Sequence, residues 1–236
     1  ESVLIVLPGA STYYPGAMVA KVRDYHEHFS AMLRKTGLMT WTLAVRECGT
    51  PYGGDDLVDV LDALDWLAGG GTAVLGVDRV YIVGYSSGAT LAVLANERRT
   101  VRAVVEIDGL TGPSQLERYW GLYRLIADLF PWNTGLCQLG STLDAYGPPG
   151  APAWDMLDAV GHLAELRSPM LVLHGERDIV FLVDNARVFQ AAYETVQAQG
   201  TRVPEVEFTY LPTGDHFNPI ERDDVVEKVL GFLERF

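Results

Sequence analysis

The sequence predicts an α/β protein: a mostly parallel sheet of about six strands with helices on both faces. Three observations carry that expectation. Short runs rich in Val, Ile and Leu alternate along the chain with stretches whose apolar residues recur every three or four positions, the periods of a strand and of an amphipathic helix. The strand-like runs are close to continuously apolar, as in Val3-Leu4-Ile5-Val6-Leu7. That is the pattern of strands covered on both faces, not of a sheet with one wet face. The 236 residues, 48% of them hydrophobic, suffice for one full core and fall short of two ordinary domains, so residues 1–236 are expected to form a single domain.

Each element follows from its local pattern. Val3 to Leu7 reads as a buried strand closed by Pro8-Gly9. Met18, Val22, Tyr25, Phe29, Met32 and Leu33 recur at helical spacing up to Thr36, and Gly37 stops that helix. Met39 to Val45 is a second strand. Asp55 to Ala68 is a helix with acids in its first turn, where the helix dipole favours them, and glycines 69 to 71 end it. Asp78 to Tyr85 is a third strand, followed at once by a helix over Ser87 to Glu97, and Val101 to Asp108 is a fourth strand. Ser168 to His174 is a fifth strand, Asp184 to Gln199 a helix, Val206 to Leu211 a sixth strand and Arg222 to Arg235 a closing helix. The stretch between Asp108 and Ser168 breaks this rhythm. It carries Tyr119, Trp120, Tyr123, Phe130, Trp132 and Trp154 but no strand pattern, and it is read as a partly helical lid or cap insertion, about 111–165, over the strand ends.

Composition excludes several roles. Eighteen basic against 31 acidic residues give a net charge of -13, which repels a phosphate backbone and argues against nucleic-acid binding. The apolar runs are strand-sized and far too short to span a membrane. Cys48 and Cys137 have no CxxC partner and are read as free thiols; His26 and His28, two apart on a helix, face different sides and make no metal pair. The chain opens at Glu1 without Met, so an upstream segment is expected to have been removed. The compartment and the oligomeric state are unread, with a soluble, cytoplasmic protein slightly favoured.

Gly84-Tyr85-Ser86-Ser87-Gly88 carries the chemistry. A GxSxG pattern placed where a buried strand meets a helix forces a sharp turn that presents the serine at the carboxyl edge of the sheet. A serine hydroxyl needs a base to take its proton, and the base needs an acid to orient it. His216, on a short loop after the last strand, can reach that edge. Asp178, a turn beyond the fifth strand, is the preferred acid, with Asp108 at the end of the fourth strand as rival; His174 and Asp215 read as loop residues. The order Ser86, Asp178, His216 is that of nucleophile, acid and base on hydrolase sheets. Oxyanion donors are expected from the backbone amides of Ser87 and Ala10. Tyr13, Tyr14, Tyr85, Trp120 and Phe217 are the candidates to line a substrate pocket.

These residues, together with His174-Gly175-Glu176-Arg177-Asp178 and Gly214-Asp215-His216, resemble the α/β-hydrolase fold serine hydrolases. The stretch from Arg46 to Trp66, Asp78-Arg79-Val80 and Ser168-Pro169-Met170 are similar to the catalytic domain of the prolyl oligopeptidase family and its small esterase relatives. The sequence departs from that family in having Leu7-Pro8-Gly9-Ala10 where a His-Gly-Gly is usual and in having no β-propeller, and the first two strands of the standard sheet are absent or lie before Glu1. The ending Asp215 to Glu221 looks as much like esterases and arylformamidases as like peptidases. The resemblance implies hydrolysis of a small-molecule ester, thioester or amide through an acyl-serine, esters ahead of peptides, with no metal or organic cofactor. Acyl transfer in the manner of thioesterase-cyclases, or peptidase action, would use the same triad, and a non-catalytic binding protein is the remaining alternative.

Overall fold

The computed structural model describes residues 1–9, 37–46 and 48–236. The helix expected over Met18 to Thr36 therefore lies outside the described residues. Six strands, β1 (Ser2–Leu7), β2 (Met39–Thr42), β3 (Arg79–Tyr85), β4 (Ala103–Ile107), β5 (Met170–Gly175) and β6 (Val206–Leu211), form one sheet in the order β2-β1-β3-β4-β5-β6. Every adjacent pair is parallel. The order reverses between β1 and β3, and such a switch point opens a crevice at the carboxyl ends of the strands. The second strand is shorter than its apolar pattern suggested, because the pairing with β1 stops at Thr42.

Alternation along the strands divides the core in two. Ile5, Leu7, Ile82, Val104 and Val172 pack on one face with α1 (Asp55–Trp66), α3 (Ser87–Arg98) and α7 (Asp184–Ala198). Leu4, Val6, Val83, Val105 and Leu173 pack on the other with α8 (Asp223–Leu233). The expected end of α1 at the glycines is a kink: Gly70 breaks the helical path, and a short α2 (Thr72–Leu75) follows. Among the described residues no helix is long and apolar enough to cross a membrane.

Between β4 and β5 run α4 (Ser114–Arg118), α5 (Trp120–Leu129), α6 (Thr134–Tyr146) and two 3-10 turns, Pro152–Leu157 and Leu163–Glu165. Leu116, Leu143, Trp154 and Leu163 from this stretch are buried in the main core. Its helices are therefore packed parts of the domain.

One expectation is corrected here. Cys48 and Cys137 are not free thiols; they form a disulfide across 89 residues of chain, with Cα atoms 5.1 Å apart. Their spacing hid this because the loop after β2 and α6 meet only in the fold. The same junction carries a hydrogen bond from the Tyr52 amide to Thr142 Oγ1 at 2.9 Å and one from the Tyr146 hydroxyl to the Tyr52 carbonyl. A cross-link closing so long a loop removes much unfolded-state entropy, and loss of such a bond costs about 2–5 kcal/mol. The double variant Cys48→Ser/Cys137→Ser is expected to lose that much in denaturant unfolding, and wild type with reductant should match it. An unshifted midpoint would contradict the structural role of the bond.

Two buried acids set a pH dependence. Asp56 is fully buried at the start of α1, where Oδ1 accepts the Leu57 amide at 2.7 Å and Oδ2 accepts Gln138 Nε2–H at 2.8 Å. Burial nevertheless pushes its pKa up to about 7. Glu97 in α3 is likewise pushed by burial to about 7, despite Arg98 at 2.9 Å. Both are raised above their unfolded values, so the native state binds protons more tightly than the unfolded chain. Their stabilising contribution is complete below about pH 4 and is lost as pH rises through about 7. Asp56→Asn removes one of these titrations. It is expected to raise the melting temperature relative to wild type at pH 8 but not at pH 4.5, and equal shifts at both pH values would contradict the assignment.

Candidate active site

The turn from β3 into α3 holds Ser86 at φ 57°, ψ -125°, a left-handed conformation that costs a non-glycine residue about 1–3 kcal/mol. Close packing around it imposes the turn. A Cβ on Gly84 would lie 2.2 Å from the Gly88 carbonyl oxygen, and one on Gly88 would lie 2.2 Å from the Leu7 carbonyl oxygen. No side chain fits at either place, so the glycines of the motif let α3 sit directly on β1 and β3. The Ser86 amide donates to the Ile107 carbonyl at 2.9 Å, fixing the turn to β4.

Three side chains meet at this edge. The Ser86 hydroxyl donates to His216 Nε2 at 2.9 Å, and His216 Nδ1 donates to Asp178 Oδ2 at 2.7 Å. The carboxylate beside Nδ1 selects the tautomer that carries its proton there, which leaves Nε2 as the acceptor facing the serine. Asp178 Oδ1 accepts the amides of Val180 at 2.7 Å and Phe181 at 2.9 Å, so the carboxylate is locked by its own turn. His174 closes that turn. It is fully buried, its Nε2 lies 2.6 Å from the Phe181 carbonyl, and burial lowers its pKa, keeping it neutral. The rings of Tyr85, Phe181 and Phe217 pack around His216 at 5.5, 5.6 and 5.4 Å. The Tyr85 hydroxyl donates to the His216 carbonyl, and Asp215 Oδ1 accepts the amides of Phe217 and Asn218. The His216 ring is thus held from both sides, with Asp215 serving its loop.

Ser86 and His216 open into a cavity of about 590 Å³. Its walls come from α4 to α6 (Leu116, Tyr123, Ile126, Leu139), from the loop at Tyr52, and from the two loops that carry Asp178 and His216 (Phe181, Ile220).

No protein-family model matches the chain, and no curated protein matches it by sequence. Solved structures do match by shape. A truncated carbohydrate esterase from gut microbiota superposes with a TM-score of 0.73 at 16% identity, over 99% of this chain and 85% of that one. The acetyl ester-xyloside bifunctional hydrolase from Caldicellulosiruptor lactoaceticus superposes with a TM-score of 0.71 at 16% identity, over 99% and 82%. The acylaminoacyl peptidase of Pyrococcus horikoshii gives 0.64 at 15% identity, and this chain covers only 36% of its length while 99% of this chain is matched. The chain has the α/β-hydrolase fold.

Within this α/β-hydrolase fold the two candidate acids occupy different places. Asp108 does not reach His216: its Oδ1 accepts the Gly175 amide at 2.7 Å and its Oδ2 has no partner among the described residues. Burial, reinforced by the charges of Asp178 and Asp215, pushes its pKa to about 8. The carboxyl of Glu106, two residues earlier in the chain, is held well above the usual carboxylate range by burial. Burial thus favours the protonated form of both carboxyl groups near Asp178. Asp108, His174 and Asp178 also bring ligating atoms within 4.8 Å of one another, and of these groups both Asp178 oxygens and His174 Nε2 face protein partners.

The remaining predicted residues fall unevenly. Ser87 opens α3, and its amide, one of the first in the helix, has no acceptor within it. Ala10, Tyr13 and Tyr14 lie outside the described residues; at Gly9, which is described, a Cβ would stand 2.6 Å from Ser86 Cβ. The chain leaving β1 therefore passes directly beside the serine. Tyr85 and Phe217 line the cavity, as does Tyr123. Trp120 does not; it donates its indole N–H to the Gly147 carbonyl at 3.0 Å and is absent from the cavity wall. Sequence reasoning missed Tyr52, which sits in a turn without a motif, and Leu116, Leu136 and Leu139, whose apolar helical spacing is the same whether a side chain faces the core or a cavity.

Proposed function

We propose that the protein is a serine hydrolase that cleaves a carboxylic ester or amide through an acyl-serine intermediate. One observation carries the reading: a continuous chain of hydrogen bonds from Ser86 through His216 to Asp178, with links of 2.9 and 2.7 Å, beside a cavity. His216 Nε2 takes the hydroxyl proton as Ser86 Oγ attacks the carbonyl carbon. Negative charge develops on the carbonyl oxygen, where the Ser87 amide and an amide of the loop after Gly9, expected at Ala10, stabilise it. Collapse expels the alcohol or amine, which receives its proton from Nε2. Water enters by the same route and releases the acid, returning the proton to Ser86. Asp178 stays ionised and holds the imidazolium throughout. The helical stretch 111–165 serves as the cap that walls the cavity. The Cys48–Cys137 bond favours an oxidising compartment over the cytoplasm.

Rapid mixing with p-nitrophenyl esters and aminoacyl arylamides tests the reading. The expected result is turnover of esters ahead of arylamides, with a burst of nitrophenol equal to the enzyme concentration when deacylation is slow. No turnover of any substrate in either series by folded protein would overturn it.

A further inference from the structure

We propose that the cavity beside Ser86 binds an uncharged, apolar limb of the substrate, a medium-chain acyl or comparable hydrocarbon group, and that Leu136 and Leu139 of α6 limit how much of it enters. This inference rests on the serine-hydrolase reading of the site and names its substrate class.

The wall of the cavity decides the chemistry. Among the described residues no Asp, Glu, Lys or Arg lines it. Its inner part is formed by side chains such as Leu116 and Leu139, which are 0% and 7% exposed. Its lip carries Ile179 and Phe217, which are 82% and 62% exposed. Apolar side chains are thus found both at the solvent-exposed lip and in the buried part of the wall, where a hydrocarbon chain would find apolar contacts.

The polar atoms on the wall are largely spoken for. Asn133 Oδ1 accepts the Leu136 amide at 3.1 Å, the Tyr123 hydroxyl pairs with Gln115, and the Tyr85 hydroxyl pairs with the His216 carbonyl. A sugar-like limb would give up water at several hydroxyls and find few partners in return. A carboxylate-bearing limb would be desolvated with no cation among the described lining residues to meet it. The cavity thus selects against the substrates that the carbohydrate-esterase names of the matched structures would suggest, and for neutral aliphatic or aromatic groups of a size that about 590 Å³ can hold.

Leu136 and Leu139 lie one turn apart on α6, so they present adjacent positions of one helix face to the cavity. The Cys48–Cys137 bond lies between them in sequence and ties this helix to the loop bearing Tyr52. The helix cannot easily swing away to admit a longer chain.

The test is the ratio of kcat/KM values across p-nitrophenyl acetate, butyrate, hexanoate and octanoate, with the hemisuccinate as a charged analogue. Each methylene transferred to the cavity is worth up to about fourfold. The expected result is a rise of at least about tenfold from acetate to hexanoate, with the hemisuccinate at least about tenfold below butyrate. A flat or falling series, or a hemisuccinate as good as butyrate, overturns the inference.

Leu139→Trp fills the inner part and is expected to lower the octanoate-to-acetate ratio at least about tenfold. Leu136→Phe, at a half-buried site that tolerates added bulk, gives the same direction if the first variant fails to fold. An unchanged ratio in folded variants overturns the assignment to α6. Labelling of each protein with a fluorophosphonate separates the two levels. An unlabelled wild type means that the hydrolase reading has failed; a labelled wild type with a flat chain-length series means that only the cavity assignment has.

Discussion

Ser86→Ala is expected to abolish ester hydrolysis, lowering kcat by about 10⁴-fold or more, because members of a catalytic triad act as a unit and the nucleophile has no substitute. The fold should survive. Alanine keeps the Cβ that already occupies the left-handed turn at φ 57°, and the hydroxyl's hydrogen bond to His216 is the contact removed. The melting temperature should therefore stay within a few degrees of wild type while the burst of acyl-enzyme disappears. Residual activity within tenfold of wild type would mean that another group attacks the carbonyl.

The second large effect separates two carboxyl groups on the same sheet edge. Asp178→Asn is expected to lower kcat by about 10³–10⁴-fold, because an amide facing His216 Nδ1 favours the wrong tautomer. Asp108→Asn is expected to leave kcat within about threefold at pH 7. Its pKa of about 8 makes it neutral there, and an asparagine oxygen can still accept the Gly175 amide as Oδ1 does. A raised native pKa means that Asp108 stabilises the fold fully below about pH 4 and loses that contribution as pH rises through about 8. Asp108→Asn should accordingly gain stability relative to wild type at pH 9 and not at pH 4.5. Comparable losses of kcat in the two variants would show that Asp108 shares the orienting role.

The two aspartates also show what the sequence could and could not reveal. The alternation of strand and helix, and the placement of Ser86, Asp178 and His216 just past the ends of β3, β5 and β6, were readable because apolar periods locate strand ends and parallel strands put all their ends on one edge. That same logic placed Asp108 on the edge, and only the direction of its carboxyl, toward the Gly175 amide, tells it from Asp178. Pairing between distant elements was invisible: nothing in the spacing of Cys48 and Cys137 marks their bond, since loop and helix meet through tertiary packing. The cavity wall was hidden for a related reason. Leu136 and Leu139 carry the periodicity of a core helix, and Trp120, the more conspicuous aromatic residue, spends its indole N–H on the Gly147 carbonyl instead.

The most direct test of an activated serine at this site is fluorophosphonate labelling followed by peptide mapping, on wild type, Ser86→Ala and His216→Ala. Stoichiometric modification confined to Ser86 in wild type, absent from Ser86→Ala and slowed by orders of magnitude in His216→Ala, is the predicted result. Folded wild-type protein that resists the reagent, or that is modified at another residue, would contradict the account.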